Sequence, residues 1–98
     1  MDKTRLVLIV SNNLNNKHAA TVTVLPITSS LQGRIYPFEV ELSAQESGLQ
    51  SNSKVKANQI RTIDKRRVNA LIGNLSIQKM TEIEKAILIH LGIDINNL

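Results

Sequence analysis

The sequence predicts one small, mainly β domain closed by a C-terminal helix, and three observations carry that prediction. Thr21-Val22-Thr23-Val24 and Phe38-Glu39-Val40-Glu41-Leu42 alternate polar and apolar with the two-residue period of a half-buried strand. Leu6-Val7-Leu8-Ile9-Val10 is continuously aliphatic, as in a buried strand. Ile77, Met80, Ile83, Ile87, Leu88 and Leu91 recur at helical spacing instead. Short strands followed by one terminal helix suggest a strongly bent sheet or partial barrel with the helix packed on it.

Taken in order, Arg5 to Ser11 is the first expected strand. The Asn-rich run Asn12 to His18 reads as a loop, because its side chains cap turns and tolerate left-handed backbone. Thr21 to Thr28 is the second strand. Pro26 has no N–H to give a ladder, so its position belongs at an edge, a bulge or the non-bonded side. Gln32-Gly33-Arg34 carries turn chemistry. Pro37 to Leu42 forms the third strand, with Phe38, Val40 and Leu42 on the core face and Glu39 and Glu41 on a solvated one. Ser43 to Ser53 reads as a polar loop. Lys54 to Asn58 and Gln59 to Ile63 are strand-like, and Ala70 to Ile72 is a further short strand. Ser76 caps the helix and Gly92 ends it.

A length of 98 residues with 42% apolar content supports one core, so residues 1–98 read as a single domain. Without cysteine there is no disulfide framework, thiol nucleophile or thiolate metal site. The aliphatic run at Leu6–Val10 is too short for a signal-peptide core or a membrane span, so a cytoplasmic chain is expected, without a membrane partner. Tyr36 and Phe38 are the only aromatics, which disfavours a site built on stacked bases. The formal charge is +4, and Lys54, Lys56, Arg61, Lys65, Arg66 and Arg67 crowd one stretch with Asp64 as its one acid. Such a patch suits a polyanion or an acidic peptide, and equally an unspecific solvated face.

Neither a glycine-rich phosphate loop nor a Gly-x-Ser-x-Gly elbow occurs. His18 and His90 have no metal-ligand spacing, and no metal or other cofactor is expected. One catalytic route stays open to this inventory. RNA carries its own nucleophile, the 2′-hydroxyl beside the scissile phosphate. A protein then has only to align it, ease a proton transfer and stabilise the added charge with arginine and hydroxyl donors. The run Thr28-Ser29-Ser30, three hydroxyls at a strand end, offers the donors or simply a turn.

The segments LVLIVSN (6–12), ITSS (27–30), PFEVEL (37–42), SGLQSNSKVKANQIRTIDKRRV (47–68) and the helix end LGI (91–93) resemble the MazF/PemK family of bacterial toxins, and QIRTIDKRR (59–67) is the most specific of them. The resemblance implies an SH3-like/CcdB-like partial barrel with a C-terminal helix. It also implies a homodimer that cuts single-stranded mRNA at short sequences without a metal ion, arrests growth, and is held inactive by an acidic antitoxin. Position by position, Arg5 and Thr28 match the family's catalytic arginine and hydroxyl. Ser29, Ser30, Lys54, Lys56, Asn58 and Gln59 are the expected RNA-binding residues, while Gln59, Arg61 and Thr62 also match a motif near the dimer core.

The chain departs from the pattern too. Leu6 stands where a proline usually follows the arginine. In one branch of the family an Arg-x-Asp pair does the catalysis; here Lys56 keeps the charge, but Asn58 cannot act as a carboxylate base. The family's first strand and long loop are not found ahead of Arg5, so Arg5 to Val10 is expected to be an exposed edge strand. That departure motivates an alternative reading, a shortened homologue that dimerises and binds RNA or antitoxin without cutting. A gyrase poison of the CcdB type is a more remote third reading, since the C-terminal aromatic and polar residues it would need are not found after His90.

Overall fold

Strand β2, Thr21–Thr28, runs through the middle of the sheet and every other part of the fold is placed relative to it. The computed structural model describes residues 5–31, 33–94 and 96; Gln32 of the expected turn lies outside them. β1 (Val7–Ile9) pairs antiparallel with one flank of β2 in the register Val7 to Pro26, Leu8 to Leu25 and Ile9 to Val24. The other flank is shared. β5 (Arg61–Asp64) pairs with Thr21 to Val24, and β4 (Ser53–Lys56) pairs with Ile27 and Thr28. β3 (Glu39–Leu42) lies outside β4, and the five-stranded sheet does not close into a barrel. Among the described residues β1 has β2 as its one strand partner, which makes it the expected edge.

Pro26 explains how one strand serves two partners. Ile27 N–H donates to the Leu6 carbonyl and Val10 N–H to the Thr23 carbonyl, so the alternation gives Pro26 a non-bonded position towards β1. On its other flank Pro26 falls between the stretch held by β5 and the stretch held by β4. There the chain makes a 3₁₀ turn over Ala57–Gln59 between the two strands, and no ladder asks position 26 for a donor.

The core lies between the sheet and helix α3 (Ile77–Leu91), whose two forerunners are the short α1 (Asn13–His18) and α2 (Ala44–Ser47). Leu25, Leu42, Val55, Ala57, Ile83 and Ala86 are buried together, with Ile27, Phe38, Val40, Met80 and Ile87 packed around them. Ser76 accepts from Lys79 N–H at one end of α3, and Gly92, at φ 70°, ends the other in a left-handed turn. Lys79 Nζ then ties the helix outward, to Glu82 at 2.9 Å, to Glu46 at 3.3 Å and to the Glu41 carbonyl at 3.2 Å.

Six expectations change. Asn12 to His18 is not a loop: Asn12 Oδ1 accepts from Asn15 N–H and starts α1, so the Asn-rich composition supplied a helix cap. The loop from Ser43 holds α2, set by a reciprocal capping box between Ser43 and Glu46. Lys54–Asn58 and Gln59–Ile63 are split by the 3₁₀ turn, and Ala70–Ile72 forms no strand, its Leu71 and Ile72 standing largely exposed. Ile77 and Leu91 lie on the apolar stripe yet remain exposed, while Ala86 is buried. A 15-residue helix extends about 22 Å. Ile77 and Leu91 are its first and last residues, on either side of the turns that carry the buried Ile83 and Ala86. Glu39, placed on a solvated face, is buried, for the reason given below.

Ile83 is fully buried at the centre of this packing. Ile83→Ala is expected to lower stability by roughly 3 kcal/mol through lost burial and the cavity left behind. Ile77→Ala, on the same helix but exposed, should change it by less than about 0.5 kcal/mol. Urea unfolding of the two variants against the parent checks both values.

Candidate functional site

The ladder pairs Thr28 with Lys54, and Arg5, just ahead of β1, lines the same groove. In the β1–β2 register the two residue numbers of each pair sum to a constant, and the Ile27 to Leu6 hydrogen bond of 3.1 Å continues it one step beyond Val7. Carried one step further, past the end of β1, the same register would set Arg5 opposite Thr28, and both residues line one groove. Across the other flank of β2, Thr28 is paired with Lys54, and Lys54 with Glu41 of β3. Side chains opposite one another in antiparallel strands share a face, with Cβ atoms about 5 Å apart. The row therefore runs Thr28, Lys54, Glu41, and the next runs Lys56 opposite Glu39.

A groove of about 970 Å³ opens over this face, lined among others by Arg5, Thr28, Ser29, Ser30, Lys54 and Lys56. Gln59 and Arg61 also reach it. Of the expected nucleic-acid residues, Asn58 is the one not brought to the groove; it stands exposed in the 3₁₀ turn. Arg61, read from sequence as a structural match, belongs to the lining. A second cleft, of about 1200 Å³, shares Arg5, Leu6, Val7, Ile27, Leu49, Arg61 and Ile72 with the first and continues along β1 towards Arg67 and Leu71.

Thr28 both ends a strand and presents a hydroxyl. Its Oγ1 accepts from Ser30 N–H at 3.1 Å, a turn that folds the two serines back over the strand end. That bond uses a lone pair of Oγ1 and leaves the O–H of Thr28 as a donor, half-buried on the groove wall. Ser29 and Ser30 are exposed at the rim.

The six-cation stretch does not form one face. Lys54 is only 6% exposed, and its Nζ meets Glu39 Oε1 at 3.3 Å and Oε2 at 3.2 Å. Arg66 is occupied by Asp64, through Nε at 3.1 Å and Nη2 at 2.9 Å. Lys56 and Arg61 stay with the groove, and Arg67 lines the second cleft. Burial pushes the Glu39 carboxyl up, but the Tyr36 N–H and the Lys54 ammonium outweigh it, and with Lys56 nearby they hold it below its ordinary value of 4.5. The partner for Lys54 explains why Glu39 can leave water: alternation alone gave it a polar face, without showing that the face was covered. Among the described residues no three side chains of His, Asp or Glu gather as a metal site would require.

With this geometry in view, residues 1–91 match the family described as PemK-like, MazF-like toxin of type II toxin-antitoxin system. The chain belongs to this family. A curated relative, "Endoribonuclease MazF9" of Mycobacterium tuberculosis, is 36% identical over 94 residues, spanning 91% of this chain and 79% of the relative. Among solved structures, "Mycobacterium tuberculosis toxin MazF-mt6" superposes with a TM-score of 0.84 at 31% identity, covering 96% of this chain and 92% of its own. An "Endoribonuclease in complex with its cognate antitoxin from Mycobacterial species" gives 0.79 at 29%, covering 92% and 82%. The likeness runs over nearly the whole chain, so its five-stranded sheet with a C-terminal helix is a MazF-like fold.

Glu39→Ala leaves a buried ammonium without its counter-ion and is expected to cost roughly 3 kcal/mol, the lower end for a broken buried pair. Because the folded carboxyl titrates below its unfolded value, its stabilisation is complete above about pH 4.5 and disappears as pH falls through the lowered value. Urea midpoints taken from pH 6 downwards should show an acid step that shrinks in the double variant Glu39→Gln/Lys54→Met.

Proposed function

We propose that this chain is the endoribonuclease toxin of a type II toxin–antitoxin module, cutting single-stranded mRNA at short sequences without a metal ion. The observation that carries the reading is one groove of about 970 Å³ lined by both Arg5 and Thr28, with Lys56 and Arg61 beside them. Family membership supports the reaction class.

The chemistry follows from what these groups can do. The substrate's 2′-oxygen attacks the neighbouring phosphorus, the bond from phosphorus to the 5′-oxygen breaks, and the products are a 2′,3′-cyclic phosphate and a 5′-hydroxyl. Negative charge grows on the non-bridging oxygens, where the Arg5 guanidinium and the Thr28 O–H donate. The 2′-proton passes to water and the leaving oxygen takes one from water. Lys56 and Arg61 neutralise flanking phosphates, and Ser29, Ser30 and Gln59 add hydrogen bonds along the strand. An acidic antitoxin competes for the same cations, and the toxin acts as a cytoplasmic homodimer.

With EDTA present, Thr28→Val is expected to slow cleavage of a long single-stranded RNA about 100-fold, the cost of one transition-state donor, and Arg5→Ala at least as much. A 2′-deoxy substitution at the cut site should abolish cleavage. Single-turnover gel assays read all three. Loss of wild-type activity in EDTA would refute the metal-independent reaction, and full activity of Thr28→Val would remove the hydroxyl from it.

A further inference from the structure

The buried pair between Lys54 and Glu39 sits where the proposed reaction needs selectivity more than charge. Lys54 lines the groove in the position next to Thr28, yet its charge is already balanced. Binding a phosphate there would release no counterion, because a neutral pair holds none. Its geometry is constrained instead. Glu39 engages the ammonium with both oxygens, and the Glu39 Oε1 is itself fixed by Tyr36 N–H at 3.0 Å. An ammonium has three N–H donors, and apart from Glu39 none of the described residues accepts from it.

We propose that Lys54 reads a nucleobase, offering a fixed donor to an acceptor on the base beside the scissile phosphate, while Lys56 serves the phosphates. The inference deepens the ribonuclease reading and rests on it. A fixed donor favours a base presenting a keto oxygen, guanine or uracil, over one presenting an amino group at the same place, adenine or cytosine. Glu39 is then a positioning residue, acting only through Lys54. From sequence alone Lys54 is one cation among six; its buried, neutralised state sets it apart.

The test pairs cleavage with binding. Cleavage of a randomised single-stranded RNA gives base preference at each position around the cut, and anisotropy with oligo(U) and oligo(C) at several salt concentrations gives preference and salt slope without turnover. In Glu39→Gln/Lys54→Met the keto preference should fall about fivefold or more while the salt slope stays that of the parent. In Lys56→Met the slope should fall by about 0.7 with the preference kept. Lys54→Arg, which retains the charge opposite Glu39, should alter the preference without altering the slope, and decides the matter if the double variant does not fold. An unchanged preference, or a slope lowered by loss of Lys54, overturns the assignment. A parent protein that binds keto bases selectively, loses that preference in the Lys54 variants and never cuts refutes the nuclease reading and upholds Lys54. One that cuts without keto preference does the reverse.

Discussion

Everything at the site depends on the pairing of β2 with three strands at once. A strand bonded on both flanks has no freedom to slip, because a one-residue shift would send Leu25 and Ile27 out of the core and Thr28 into it. Core packing by Leu25, Val55 and Ile83 therefore also sets the direction of the Thr28 hydroxyl. Stability and site geometry are the same constraint seen from two faces of one sheet.

That constraint also explains the division among the cations. The face opposite the core is not freely solvated, so a charge placed on it must either reach the groove or find a partner. Lys56 and Arg61 do the first, and Lys54, on the same groove wall, does both. Replacing a buried ion pair by apolar residues is often neutral for stability. The pair is thus poorly accounted for by stability alone, and better by what its fixed N–H can offer to the groove.

Much of the fold was readable in local pattern. The alternation in Thr21–Thr28 and the Ser76-to-Gly92 signals located β2 and α3, since period and caps are properties of neighbouring residues. Arg5 and Thr28 came from resemblance to a family and could not have been joined otherwise, because what links them is a groove shared by residues 23 positions apart in the chain. Glu39 was misplaced for a related reason. A strand's polar face looks alike in sequence whether water or a lysine lies against it, and the lysine here is 15 positions away. The Asn-rich helix α1 is hard to see in sequence because the same asparagine side chain that caps a helix also stabilises a turn.

The edge position of β1 has a consequence for rate. A strand of three residues, bonded among the described residues along one flank only, is held by few hydrogen bonds and belongs at the low end of local opening free energies. Arg5 lines the groove with Thr28 only while that strand is docked. In the proposed reaction the arginine's contribution is a population as much as a distance, and the rate constant would be the intrinsic one multiplied by the docked fraction. Anything that adds a strand to the open edge of β1 raises that fraction, and anything that peels β1 away lowers it, without touching a single group at the phosphate.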